Sequence, residues 1–283
     1  MPLGGLARRV GYAKSVETAT GGKAAVLQVD AGRLFAPDQG AGAVSVDDPK
    51  LKNAWTLRAA DLAGIRAANA AIYDLPYLTT MMAVDGYEKR VAEFPMLDRF
   101  VSVNAVPANK SLRPFKPYVI VEVAAVRLGA KPLRVGILGV TEMPKSGDRV
   151  GGYTILDPAK ALAERARELV GKCDVLVVLA YMDRRALQTT IEPAVPGVDV
   201  VVAAHQFAPN KFEGDAERPV YVFTANQGKG VDEVRLYPAP AGAARPYGRI
   251  TMRHVALNKD IPSEPAAQAL VREAVKDFRK LPQ

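Results

Sequence analysis

The chain has 283 residues, room for one or two domains at roughly 150 residues each, and its 49% hydrophobic and 24% charged content excludes a disordered, collagenous or coiled-coil protein. No apolar run approaches the roughly 18 residues that a membrane span requires, and the single cysteine, Cys173, excludes an internal disulfide framework. A formal charge of +8 favours an acidic partner, but the basic residues are scattered and lack the aromatic interleaving of a nucleic-acid surface, so no nucleic acid is expected.

Taken in chain order, Leu6 to Thr18 has apolar residues at helical spacing, and Ala24 to Asp30 reads as a buried strand ending in the Ala31-Gly32 turn. A glycine- and aspartate-rich loop follows from Pro37 to Pro49, and Lys50 to Ala71, rich in alanine, leucine and arginine, reads as helix. Phe100 to Val106 is strand-like, as are Tyr118 to Val126 and Leu133 to Val140 on either side of a turn at Gly129-Ala130. The glycine-rich piece Gly147 to Gly152 reads as a flexible loop. Asp157 and Pro158 supply an N-cap and a first helical position for a helix to about Val170. Asp174 to Ala180 and Val198 to Ala204 are continuous apolar runs of the kind buried on both faces, with a helical stretch between them to about Ile191. From Val220 strands and turns alternate, and Glu264 to Phe278 closes the chain as a helix. Strands alternating with helices specify an α/β architecture.

Several pieces, in order, resemble the metal-binding domain of the 5′-nucleotidase branch of the calcineurin-like metallophosphoesterases. Gly4-Gly5-Leu6-Ala7-Arg8-Arg9 is similar to that family's Gly-Gly-x-Ala-Arg helix start, and Leu27 to Phe35 resembles its Leu-x-x-Asp-Ala-Gly-Asp-x-Phe segment. Phe94 to Leu97 and Val101 to Asn104 echo its Phe-Pro-Val-Leu-Ser-Ala-Asn-Val region. Arg134 to Thr141 is similar to the strand before the loop that crosses the site, and Val198 to His205 to the strand ending in Gly-His-x-His. The resemblance covers nearly the whole chain. It implies a four-layer α/β/β/α sandwich of two mixed sheets, one domain over residues 1–283, without the family's first strand and without its C-terminal nucleoside-recognition domain.

The resemblance also implies a pair of divalent ions that clamp a phosphate ester and activate water, and here the residues depart from the pattern. The family's Asp-x-His lies upstream of the Gly-Gly motif, so it is not in this chain. Arg33 stands at the bridging aspartate, a cation between two cations. The Gly-Asn-His-Glu motif falls loosely at Asn69-Ala70-Ala71, with no histidine. Tyr181 stands where a histidine should close its strand, and of Gly-His-x-His only His205 persists, the second position being Phe207. Asn69 would be a second, weak ligand. A single neutral imidazole does not hold a divalent ion against water, so no metal, cofactor or catalytic residue is assigned.

The expected role is therefore a degenerate, non-catalytic binding or structural domain for an anionic ligand or an acidic partner, with a ligand-binding mouth of Arg33, Tyr181, His205, Asp30 and Asn69. The alternative is a metal-dependent phosphoric-ester hydrolase or nucleotidase with a truncated N-terminus. Arg33 either binds an anion in place of the metals or pairs with Asp30 or Asp38. Tyr181 grips a ligand or plugs a vacated pocket, and His205 reads as a relic held by a hydrogen bond. Asp183 reads as a surface ion pair with Arg184, His254 as an edge residue without acidic neighbours, and Cys173 as a packed thiol. The family is usually exported, but no export signal stands at Met1-Pro2-Leu3.

Overall fold

The computed structural model describes residues 4–21, 25–35, 49–124, 132–205, 214–224, 228–240, 242–243 and 245–280. Helix α1 (Leu6–Ala19) leads to strand β1 (Gln28–Asp30), helix α2 (Pro49–Leu62) and strand β2 (Ile65–Asn69). Two short helices, α3 (Leu75–Met81) and α4 (Tyr87–Glu93), and a 3-10 turn precede β3 (Phe100–Val101) and β4 (Ala105–Pro107). Then come β5 (Tyr118–Val123), β6 (Leu133–Thr141), β7 (Arg149–Val150), β8 (Tyr153–Ile155), α5 (Pro158–Leu169), β9 (Val175–Tyr181), α6 (Arg184–Ala194) and β10 (Val200–Ala204). The tail holds β11 (Gly214–Asp215), β12 (Val220–Phe223), β13 (Gly230–Pro238), β14 (Tyr247–Ala256) and α7 (Pro265–Phe278).

The apolar runs that lack alternation become the central strands of a five-stranded sheet ordered β12-β10-β9-β6-β5. Its first four strands are parallel, which requires crossover connections and burial of both faces; β5 adds to the edge antiparallel. Amphipathic helices α5 and α6 cover one face, burying Leu162, Leu169, Leu187 and Ile191 against Leu138, Val178 and Val201. The other face, with Ile137, Val177 and Leu179, packs on Ala67 and Val101 of the parallel sheet β1-β2-β3 and on Ile250 and Met252 of the antiparallel sheet β11-β14-β13. Helices α1, α2 and α7 close the far side over Ile65 and Ala68, with Val10, Leu57 and Ala267 buried there. The order of layers is thus α/β/β/α, and the second β layer consists of two separately hydrogen-bonded three-stranded sheets.

Local chemistry sets the boundaries. Asp157 caps α5 by accepting from the Lys160 amide at 2.8 Å, with Pro158 at the first helical position. Asp183 does the same for α6 through the Ala186 amide at 2.8 Å, so it is a helix cap and not a surface ion pair. The helix expected over Lys50 to Ala71 ends at Leu62: Gly64, at φ +72, breaks it, and Ile65–Asn69 is a strand between β1 and β3. Its alanines favour a helix locally, but a strand buried on both faces accepts small residues, and packing decides. Phe100 to Val106 is not one strand. A turn at 102–104 sends β3 and β4 into different sheets. Gly147 to Gly152 is part of a β7–β8 hairpin packed on Thr79 and Leu112. The Gly129-Ala130 turn, Asp38 and Phe207 lie outside the described residues.

Candidate functional site

The C-terminal ends of β1, β2, β6, β9 and β10 meet at one rim of the sandwich, where crossover connections leave room for side chains. Two sheets approach closely there because Gly139 of β6 has no side chain. A Cβ would lie 2.4 Å from the Val101 carbonyl oxygen and 2.9 Å from Asn69 Oδ1. The Val103 amide donates to the Gly139 carbonyl at 2.7 Å, tying the layers.

Buried polar side chains fix the rim. Asn69, fully buried, donates through Nδ2 to the carbonyls of Ala31 (3.1 Å) and Val140 (2.8 Å). Asn104 brackets Thr141 from both sides, accepting from its amide at 3.0 Å and donating to its carbonyl at 2.8 Å, while the Thr141 hydroxyl accepts from the Ile72 amide at 2.9 Å. Asp74 receives the amides of Arg33 (2.7 Å), Phe35 (3.1 Å) and Ala71 (3.3 Å). Burial nevertheless dominates and raises its pKa from 3.8 to about 7, with the nearby Asp30 carboxylate adding to the rise.

The turn that Asp74 holds presents Arg33. Its backbone is left-handed, at φ +61, the one such non-glycine residue among those described. That geometry disfavours a side chain with a Cβ by roughly 1–2 kcal/mol. From this turn the exposed Arg33 guanidinium reaches the Tyr181 hydroxyl, with Nη1 at 3.4 Å, and lies 5.2 Å from the ring centre of Tyr73. Tyr181, buried at the end of β9, stands edge-on to Tyr73 and tilted against His205, both at 5.5 Å between ring centres. Burial lifts the Tyr181 phenol above its ordinary value and Arg33 counteracts this. His205 Nε2 lies 3.7 Å from Glu142 Oε1, and burial holds the Glu142 carboxyl above the usual range.

Arg33, Tyr181 and His205 therefore form one group. Asp30 is turned elsewhere: Oδ2 faces Arg9 at 3.9 Å and Oδ1 accepts from the Gly32 amide at 3.0 Å, so the expected Arg33–Asp30 pair does not form. Asn69 lies beneath the group as a staple. Tyr73, Asp74 and Glu142 were not singled out by the sequence, although Glu142 follows Thr141, which pairs with Tyr181 across the sheet. His254 is also corrected. It lies on the central strand of its sheet and bonds Asp232 at 2.8 Å, because strand register sets the two opposite each other.

No protein-family model and no curated protein matches the sequence. Solved structures do match. The sulfate thiohydrolase SoxB of Thermus thermophilus superposes at TM-score 0.70 and 15% identity over 98% of this chain. A 5′-nucleotidase precursor of the same species superposes at 0.70 and 18% over 98%. The chain spans about half of each, 48% and 54%. The calcineurin-like phosphoesterase YfkN of Bacillus subtilis, at 0.66 and 14%, covers 99% of this chain and is itself covered to 92%. The chain has the calcineurin-like metallophosphoesterase fold.

A metallophosphoesterase fold implies two divalent ions at this rim, and the donors among the described residues do not fit them. Asn69 Oδ1 is buried without a hydrogen-bond partner, but it is directed at the Gly139 backbone and walled in. Asp74 is engaged by three amides and Asp30 by Arg9 and Gly32. The Arg33 guanidinium adds a fixed positive charge within the same group. Among the described residues no three His, Cys, Asp or Glu side chains gather into a possible metal site. In addition, no helix among them is long and apolar enough to cross a membrane.

Proposed function

We propose that this metallophosphoesterase-like domain is a non-catalytic binding module whose rim takes an anion on Arg33, assisted by Tyr181 and His205. The observation that carries the reading is the setting of Arg33. Among the described residues it has no carboxylate partner, and its guanidinium is directed at a phenol and over an aromatic face in an exposed position. A guanidinium keeps its charge at any physiological pH and offers paired N–H groups that match a phosphate or carboxylate. The Tyr181 hydroxyl adds a donor that burial keeps protonated.

Arg33→Ala is expected to weaken binding of phosphate-like anions at least about tenfold, in line with loss of a charge-assisted contact. Titration calorimetry with inorganic phosphate reads this as the weakening of one binding event relative to the unaltered chain, and superimposable isotherms for both proteins discard the reading. Phosphomonoester and phosphodiester assays with added manganese complete the test: the module is expected to show no turnover, and sustained turnover would favour a hydrolase.

A further inference from the structure

A second cationic group lies at the opposite end of the five-stranded sheet, where β10 and β12 begin. Its centre is Asp199, almost fully buried, whose Oδ2 accepts the Leu176 amide at 2.8 Å. Its Oδ1 receives three donors at once: Arg218 Nη1 at 3.1 Å, Arg245 Nη1 at 2.5 Å and the Tyr247 hydroxyl. One carboxylate needs one guanidinium, and here two converge.

Each arginine engages Asp199 only through Nη1, which also lies within reach of the Tyr247 hydroxyl. Among the described residues no acceptor meets the Nε–Nη2 edge of either. Such an edge is the fork that grips an oxyanion bidentately. Both side chains are over a third exposed, and both line a cavity of about 300 Å³ together with Gly197, Val198 and Pro219. Glu192 lines the cavity as well, and its carboxylate accepts from the Tyr221 hydroxyl at 2.6 Å, leaving Asp199 to answer the two guanidinium groups. The five residues of β10 at about 3.3 Å each separate this cavity from His205 by roughly 16 Å.

We propose that this cavity is a second anion site, taking a tetrahedral oxyanion of the phosphate or sulfate class on the Nε–Nη2 edges of Arg218 and Arg245. Asp199 and Tyr247 hold the two guanidinium groups in place, so little side-chain entropy is lost on binding.

Titration calorimetry with inorganic phosphate and with sulfate, at constant ionic strength, tests this on four proteins: the unaltered chain, Arg33→Ala, and Arg33→Ala carrying in addition Arg218→Gln or Arg245→Gln. Arg33→Ala is expected to retain this binding event, whereas either glutamine variant weakens it at least about tenfold. Glycerol phosphate binding as tightly as inorganic phosphate would assign the site to organic phosphates, and weaker binding would assign it to the free ion; both support the site. Unchanged affinity on adding Arg218→Gln and on adding Arg245→Gln overturns it, as does the absence of any saturable event in Arg33→Ala alone. Should a glutamine variant fail to fold, arginine labelling with phenylglyoxal on the unaltered chain decides. Phosphate is expected to protect Arg218 and Arg245, and equal labelling with and without phosphate refutes the site.

Discussion

Arg33 and Asp74 show how one residue's cost is carried by another. A left-handed arginine is unfavourable, and the Asp74 carboxyl compensates by collecting the amides on either side of Leu34 together with that of Ala71. The same burial gives Asp74 a measurable pH signature. Its folded pKa, about 7, lies above the unfolded 3.8. Between those values the folded chain keeps a proton that the unfolded chain has released, so the contribution of Asp74 falls as pH rises through this window. Asp74→Asn removes the titration and orphans at least one buried amide, at a cost of roughly 1–3 kcal/mol. The stability gap between the two proteins is expected to be widest near pH 4 and to shrink as pH rises, by up to roughly 1.4 kcal/mol per pH unit, so that it closes and reverses before pH 7. Urea unfolding across that range measures it, and a pH-independent gap contradicts the assignment. Arg33 and Tyr181 were legible in the sequence because each departs from a motif position, and His205 because it keeps one. Asp74 and Glu142 were not, since each sits in a connection whose path only the tertiary packing defines.

Among the elements, β2 and β6 control how the sheets meet. The sequence showed β6, β9 and β10 plainly, since runs such as Val175 to Leu179 have no polar face. It hid β2 behind alanines, and the helices between Asp74 and Arg99 behind motifs too short for a periodicity. What the sequence could not reveal is how closely β3 crosses β6. Gly139→Ala places a Cβ 2.4 Å from a backbone carbonyl of a neighbouring sheet, which cannot swing aside as a side chain would. It is expected to destabilise the fold by about 1–3 kcal/mol, the usual cost of overpacking. It should also loosen the Asn69 staple beneath the rim. Thermal unfolding checks this, and an unchanged midpoint would mean that the two sheets are not in register as described.

At the scale of the whole molecule, the four layers reproduce the metallophosphoesterase arrangement at 14–18% identity, which is what hydrophobic pattern and strand order can specify without shared site chemistry. The layers bring the strand ends to one rim whatever residues occupy them. In this chain those residues include a guanidinium, a phenol, one imidazole beside the Glu142 carboxylate, the Asp30 and Asp74 carboxyls engaged by backbone amides, and the Asn69 amide engaged by backbone carbonyls. The proposed anion-binding role predicts that this rim leaves dications unbound, and the surplus of basic residues elsewhere favours anions in the same direction. The most direct measurement is anomalous diffraction from crystals soaked in manganese or zinc. No ion should be found ordered between Arg33, Asn69 and His205; two well-coordinated ions there would contradict the account.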